Sequence, residues 1–161
     1  QSTLKSHEPM KLAEALILRA DLQKRLAQLR QRVMQNVKTQ EGDAPAENPT
    51  ALIAEFEAGA ADLQDLIARI NRTNLAVAIE AGQTMTDALA ERDVLRLRTA
   101  LYRDAATEAT QTRDRYTRTE VKYVRAIDVA KAREQADALS KALRTLGAQI
   151  QAANWQHDLI E

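Results

Sequence analysis

Apolar residues recur at helical spacing through four long stretches of this chain, while aromatics are scarce: one Trp, three Tyr and one Phe in 161 residues. A core must then be built from stripes of Leu, Ile, Val and Ala with charged faces outward, the pattern of packed, rod-like helices. The expected fold class is mainly α, an antiparallel bundle of about four long helices. Such a pattern specifies contacts, within one chain or between copies. It specifies no reaction.

The first helix is expected over Met10 to Lys38, with the stripe Leu18, Leu22, Leu26, Leu29, Val33 and Val37. Its steps give an eleven-residue repeat and a nearly straight rod on the order of 40 Å long. Asp21 and Arg25 can pair on its surface. Thr39 to Pro49 holds Gly42, Pro45 and Pro49 and reads as a loop, with Thr50 as the next helix start. The second stripe is Ile53, Phe56, Ala60, Leu63, Ile67 and Ile70, a heptad seam, and the connection of about ten residues most simply makes helices one and two an antiparallel pair. The polar run Asn71 to Asn74 is read as its end. Thr84 or Thr86 then caps the third helix, with Asp87 in the first turn and the stripe Ala90, Val94, Leu97, Leu101 and Ala105. Asp128 caps the last helix, whose seam Ala132, Ala136, Leu139, Leu143, Leu146, Ile150 and Ala153 is the cleanest heptad. Leu75–Ile79 and Val121–Ile127 are β-prone and are expected to pair as a small two-stranded element.

Composition narrows the function. The 23 basic and 23 acidic residues cancel and are interspersed, which argues against a dedicated nucleic-acid or anionic-membrane binder. No cysteine is present, so disulfides and thiolate chemistry are excluded. The best apolar run, Leu12–Leu18, is broken by Glu14 and followed by Arg19 and Asp21, too short to span a bilayer and unlike a secretory signal. A cytoplasmic protein is the expectation. Residues 1–9 differ in character from the rest of the chain and read as a non-native leader, leaving 10–161 as a single helical domain. That sets His7 aside. His157 has Asn154 three residues before it, not the Glu of a bundle di-metal motif, and reads as an exposed terminal-turn residue. No metal or other cofactor is expected. Trp155 reads as a hydrophobic anchor within the fold or between subunits.

Two groups could bind or react. Arg113, Arg115, Arg118, Lys122 and Arg125, with Tyr116 and Tyr123 between them, form a basic–aromatic stretch suited to phosphate or a stacked base. The balanced whole-chain charge weighs toward a solvated inter-helix loop instead. Asn71, Arg72 and Asn74, with Asp87 and Arg92 on the following helix, could line a polar pocket. Helix capping and a structural hydrogen-bond network account for them more simply.

The segments Leu12–Gln23 (LAEALILRADLQ), Ile70–Asn74 (INRTN), Asp87–Asp93 (DALAERD), Tyr116–Val124 and Asn154–Trp155 together resemble a bacterial family of unknown function whose members are sometimes labelled septicolysin. The resemblance covers residues 10–161. It implies a mostly helical protein that forms a homo-oligomer, a hexamer being one candidate, and it brings no catalytic residues. Three functions are then open, in order of support. The first is a non-enzymatic homo-oligomeric assembly protein with no small-molecule substrate. The second is an anion or nucleic-acid binding module built on Arg113–Arg125. The third is the membrane-active protein that the label suggests, although no alternating segment of ~9–11 residues offers a spanning strand.

Overall fold

The computed structural model describes residues 9–111 and 122–161. Four helices account for most of them: α1 Leu12–Asn36, α2 Pro49–Ala76, α3 Met85–Thr110 and α4 Val129–Gln156. The chain divides into two compact units. The first holds the described residues up to Ala78 together with Ala152–Glu161, and the second is Ile79–Gln151.

In the first unit α1 and α2 are an antiparallel pair. Leu26, Leu29 and Val33 of α1 pack with Leu52, Phe56, Ala60 and Leu63 of α2. Arg25 Nη2 reaches across to Glu55 Oε1 at 2.6 Å rather than pairing with Asp21 on its own helix. The seam of α1 is not the expected eleven-residue repeat. Leu18 and Val37 are exposed, and an alternation of three and four, Leu12, Ala15, Arg19, Leu22, Leu26, Leu29, Val33 and Asn36, runs through the covered positions, with Ala13 and Leu16 beside it near the helix start. Two members, Arg19 and Asn36, are polar, which hid the heptad. Asn36 is tolerated because its amide donates to Arg32 O at 2.8 Å and accepts from Glu47 N at 2.9 Å.

The loop is tied down by the same groups. Gly42 takes φ +90°, a conformation that glycine adopts without a Cβ penalty, and Asp43 N closes the turn on Gln40 O. The α2 cap is Asn48, not Thr50: its Oδ1 accepts from Thr50 N at 3.0 Å and Ala51 N at 3.3 Å, and Pro49 takes the first helical position, where no N–H is needed. Of the expected α2 seam only Ile53 faces out; Phe56, Ala60, Leu63, Ile67 and Ile70 are covered, and Leu52, Gly59, Leu66 and Thr73 widen the covered face. Gly59 belongs to it because a Cβ there would sit 3.0 Å from Leu26 Cδ2.

The run Asn71–Asn74 does not end α2. Thr73, fully buried, donates its hydroxyl to Arg69 O at 2.7 Å and so stays within a helix that continues to Ala76. The expected strand Leu75–Ile79 is therefore not formed. Leu75 and Ala76 finish the helix, and Ile79–Gly82 is a turn with Gly82 at φ +80°. Of its expected partner, Val121 lies outside the described residues, and Tyr123, Val124 and Ile127 are exposed coil. No two-stranded element forms among the described residues. An isolated antiparallel bridge instead joins Lys11 to Asp158, with Leu12 N donating to His157 O and Leu159 N to Met10 O.

In the second unit Thr84 caps α3, accepting from Asp87 N at 3.2 Å, and Asp128 caps α4, accepting from Lys131 N at 3.1 Å. Ala106 packs with Val129 and Ala132, flanked by Tyr102 and Ala109. The expected α4 seam is covered throughout, with Leu143 its least buried member.

Candidate interaction surface

Neither expected site falls within a single described unit. Arg113, Arg115 and Arg118 lie outside the described residues, while Lys122 and Arg125 are exposed coil ahead of α4. Of the polar-pocket residues, Asn71 and Arg72 point outward on α2 and Asn74 is half-buried, all in the first unit. Asp87 and Arg92 belong to the second, Asp87 exposed in the first turn of α3 and Arg92 half-buried with Nη2 3.4 Å from Asp93 Oδ1. In the first unit the covered group is Thr73, which also accepts Ile160 N at 3.0 Å, while Arg69 Nε donates to Ile160 O. His157 is half-buried, not exposed as expected, and its Nε2 lies 3.1 Å from Ala78 O. Lys11 Nζ and Asp158 Oδ1 pair at 2.6 Å. These contacts fasten Met10–Leu12 and His157–Ile160 within the first unit. Trp155 stays 55% exposed.

A groove of ≈ 440 Å³ in the second unit is lined by Gln83, Glu91, Ala138, Lys141, Thr145 and others. It is open to solvent and pairs one acid with one base, which concentrates no charge for a ligand. Among the described residues, no His, Asp and Glu groups are placed to hold a metal, and no helix is long and apolar enough to cross a membrane.

The most informative surface is on α3. Its expected stripe does not face the core: Val94, Leu97 and Leu101 are 53%, 71% and 65% exposed, and Ala90 is exposed with them. The covered positions are Met85, Ala88, Arg92, Leu95, Thr99, Tyr102, Ala106 and Ala109, on the opposite side of the helix. Thr99 occupies this seam because its hydroxyl is satisfied by Leu95 O at 2.7 Å. Apolar periodicity favours the other stripe because its members are purely apolar, whereas the covered seam is interrupted by an arginine, a threonine and a tyrosine. The signal is present as a second, unbroken three–four alternation. The helix thus carries two apolar faces, one covered and one presented to solvent. Three large apolar side chains at helical spacing on one exposed helix face make it the candidate interaction surface.

Residues 19–159 match the model of a family of unknown function (DUF6847). A crystal structure of a functionally unknown conserved protein from Corynebacterium diphtheriae is similar over 95% of this chain and 100% of its own, with 42% sequence identity and a TM-score of 0.88. No curated protein matches the chain. The resemblance to septicolysin-labelled proteins is thereby overturned: neither the family nor the solved relative carries any such description. The chain belongs to the family of unknown function DUF6847.

Proposed function

We propose that this member of the family acts as a non-enzymatic helical scaffold that assembles with copies of itself through α3. The observation that carries the reading is the outward stripe Ala90, Val94, Leu97 and Leu101, opposite a seam that already serves the core. Apolar side chains on that scale gain from removal from water, about 1.5–3 kcal/mol for each one fully covered. The charge balance fits self-association too, since a neutral chain is not held apart from its copies by net repulsion. Light scattering tests the reading. The chain is expected to run well above its 17.9 kDa monomer mass at micromolar concentration, and Leu97→Glu to return it to that mass. Position 97 is solvent-facing, so circular dichroism should show the helices intact in the variant. A strict monomer at micromolar concentration overturns the proposal, as does an assembly indifferent to Leu97→Glu.

A further inference from the structure

We infer that α3 meets α3 of a second copy antiparallel, in a single register fixed by Glu91 and Arg98. The inference rests on the self-assembly proposed above and specifies its partner and geometry. Val94 to Leu97 is a step of three, so Val94 and Leu101 take the a positions of a heptad and Ala90 and Leu97 the d positions. Glu91 and Arg98 then lie at e, on one flank of the stripe, and Asp93 and Ala100 at g, on the other. An antiparallel pair sets a against d, e against e and g against g.

One register makes every central layer apolar. Val94 lies against Leu97 of the second copy, Ala90 against Leu101, and the two-fold axis repeats both layers. In that register Glu91 of each copy faces Arg98 of the other. Within its own chain Gln83 Nε2 donates to Glu91 Oε2 at 3.0 Å, a neutral partner for the carboxylate. Slipping by one heptad in one direction sets Asp104 against Val94 and Arg98 against its own counterpart. Slipping in the other sets Asp87 against Leu97 and Glu91 against its counterpart. Both alternatives bury a carboxylate against an apolar side chain and bring like charges together. In the favoured register Asp87 of each copy meets Asp104 of the other at the two ends, a like-charge cost that falls outside the four apolar layers and limits the contact to about three helical turns.

Parallel pairing would join Asp93 to Arg98 of the second copy instead. Asp93 already lies 3.4 Å from Arg92 and 3.7 Å from Arg96 within its own chain. Antiparallel helices also set their macrodipoles head to tail, which favours the proposed arrangement.

A charge swap tests the register. Glu91→Arg and Arg98→Glu should each weaken assembly about ten-fold in sedimentation equilibrium, because two attractive pairs become two repulsive ones. The double variant, which restores both pairs with their signs exchanged, should recover the original affinity within a few-fold. Asp93→Asn should leave it unchanged. Single variants without effect, or a double variant no tighter than the singles, overturn the register even where Leu97→Glu dissociates the assembly. An Asp93→Asn variant as weak as Glu91→Arg also overturns it, in favour of parallel pairing. Should Leu97→Glu leave the mass unaltered, the α3 face itself is wrong, an outcome distinct from these.

Discussion

Asn36 and Arg32 show how single side chains fasten a connection that has little apolar content. Asn36 holds the N–H of Glu47, and the Arg32 guanidinium grips the Glu47 carboxylate through two hydrogen bonds, with Nε at 3.0 Å from Oε2. The hydrogen bond from Arg32 holds the Glu47 carboxyl below its ordinary value of 4.5, and the same bond pushes the guanidinium up. A depressed carboxyl contributes stability that is present above its unfolded value and lost as pH falls through the folded one. The raised arginine matters only in strong alkali. Acidification from about pH 5 to 3 should therefore lower the urea midpoint of the native chain more than that of Arg32→Gln. Both groups are exposed, so added salt should narrow the difference. If the two midpoints fall in parallel at low salt, the pair contributes nothing. The pairing of Arg32 with Glu47 across the loop could not be seen in the sequence, where the nearest-neighbour rule favours partners one helical turn apart, as it did wrongly for Asp21 and Arg25.

At the scale of the helix, a three–four alternation runs through the covered positions of all four elements, and it is hardest to read where a polar or small residue occupies it. The α4 seam was legible because its members are all Ala, Leu or Ile. Those of α1, α2 and α3 include Asn36, Gly59, Thr73, Arg92 and Thr99, which apolar counting passes over. Tertiary packing decided between two stripes of near-equal claim. Glycine offers a contrast within this pattern. A Cβ at Gly147 in α4 meets nothing within 4 Å, whereas at Gly59 in α2 it meets Leu26 at 3.0 Å. Gly147→Ala should stabilise by about 0.5–1 kcal/mol through the unfolded chain's lost freedom. Gly59→Ala should gain less or lose stability, because the Leu26 methyl must give way first. Thermal unfolding should rank Gly147→Ala above the native chain; a lower midpoint for it would contradict the open space seen there.

For the whole molecule, helix number, boundaries within a few residues and two of the expected caps were readable, because they depend on local periodicity and capping chemistry. The joining of the two ends of the first unit was not, since it uses backbone groups and residues far apart in sequence. Thr73 is its pivot, accepting Ile160 N while donating to Arg69 O. Thr73→Val keeps the shape and removes the acceptor, so it should cost about 1–3 kcal/mol in chemical unfolding. A cost under a few tenths would mean that water replaces the hydroxyl. The small β element failed for a related reason: Leu75–Ile79 was judged by propensity, while the helix gained more by extending to Ala76.

The same closure has a consequence in time. Lys11, Leu12 and Met10 bond to His157, Asp158 and Leu159, so the unit whose helices emerge first from the ribosome needs residues that emerge after all of Ile79–Gln151. At about 5–20 residues per second, α1 and α2 wait on the order of several seconds for them. During translation the antiparallel pair can form, but its closing segment cannot arrive, and the second unit has every residue it needs before the first does. The part of the molecule begun first is the part finished last.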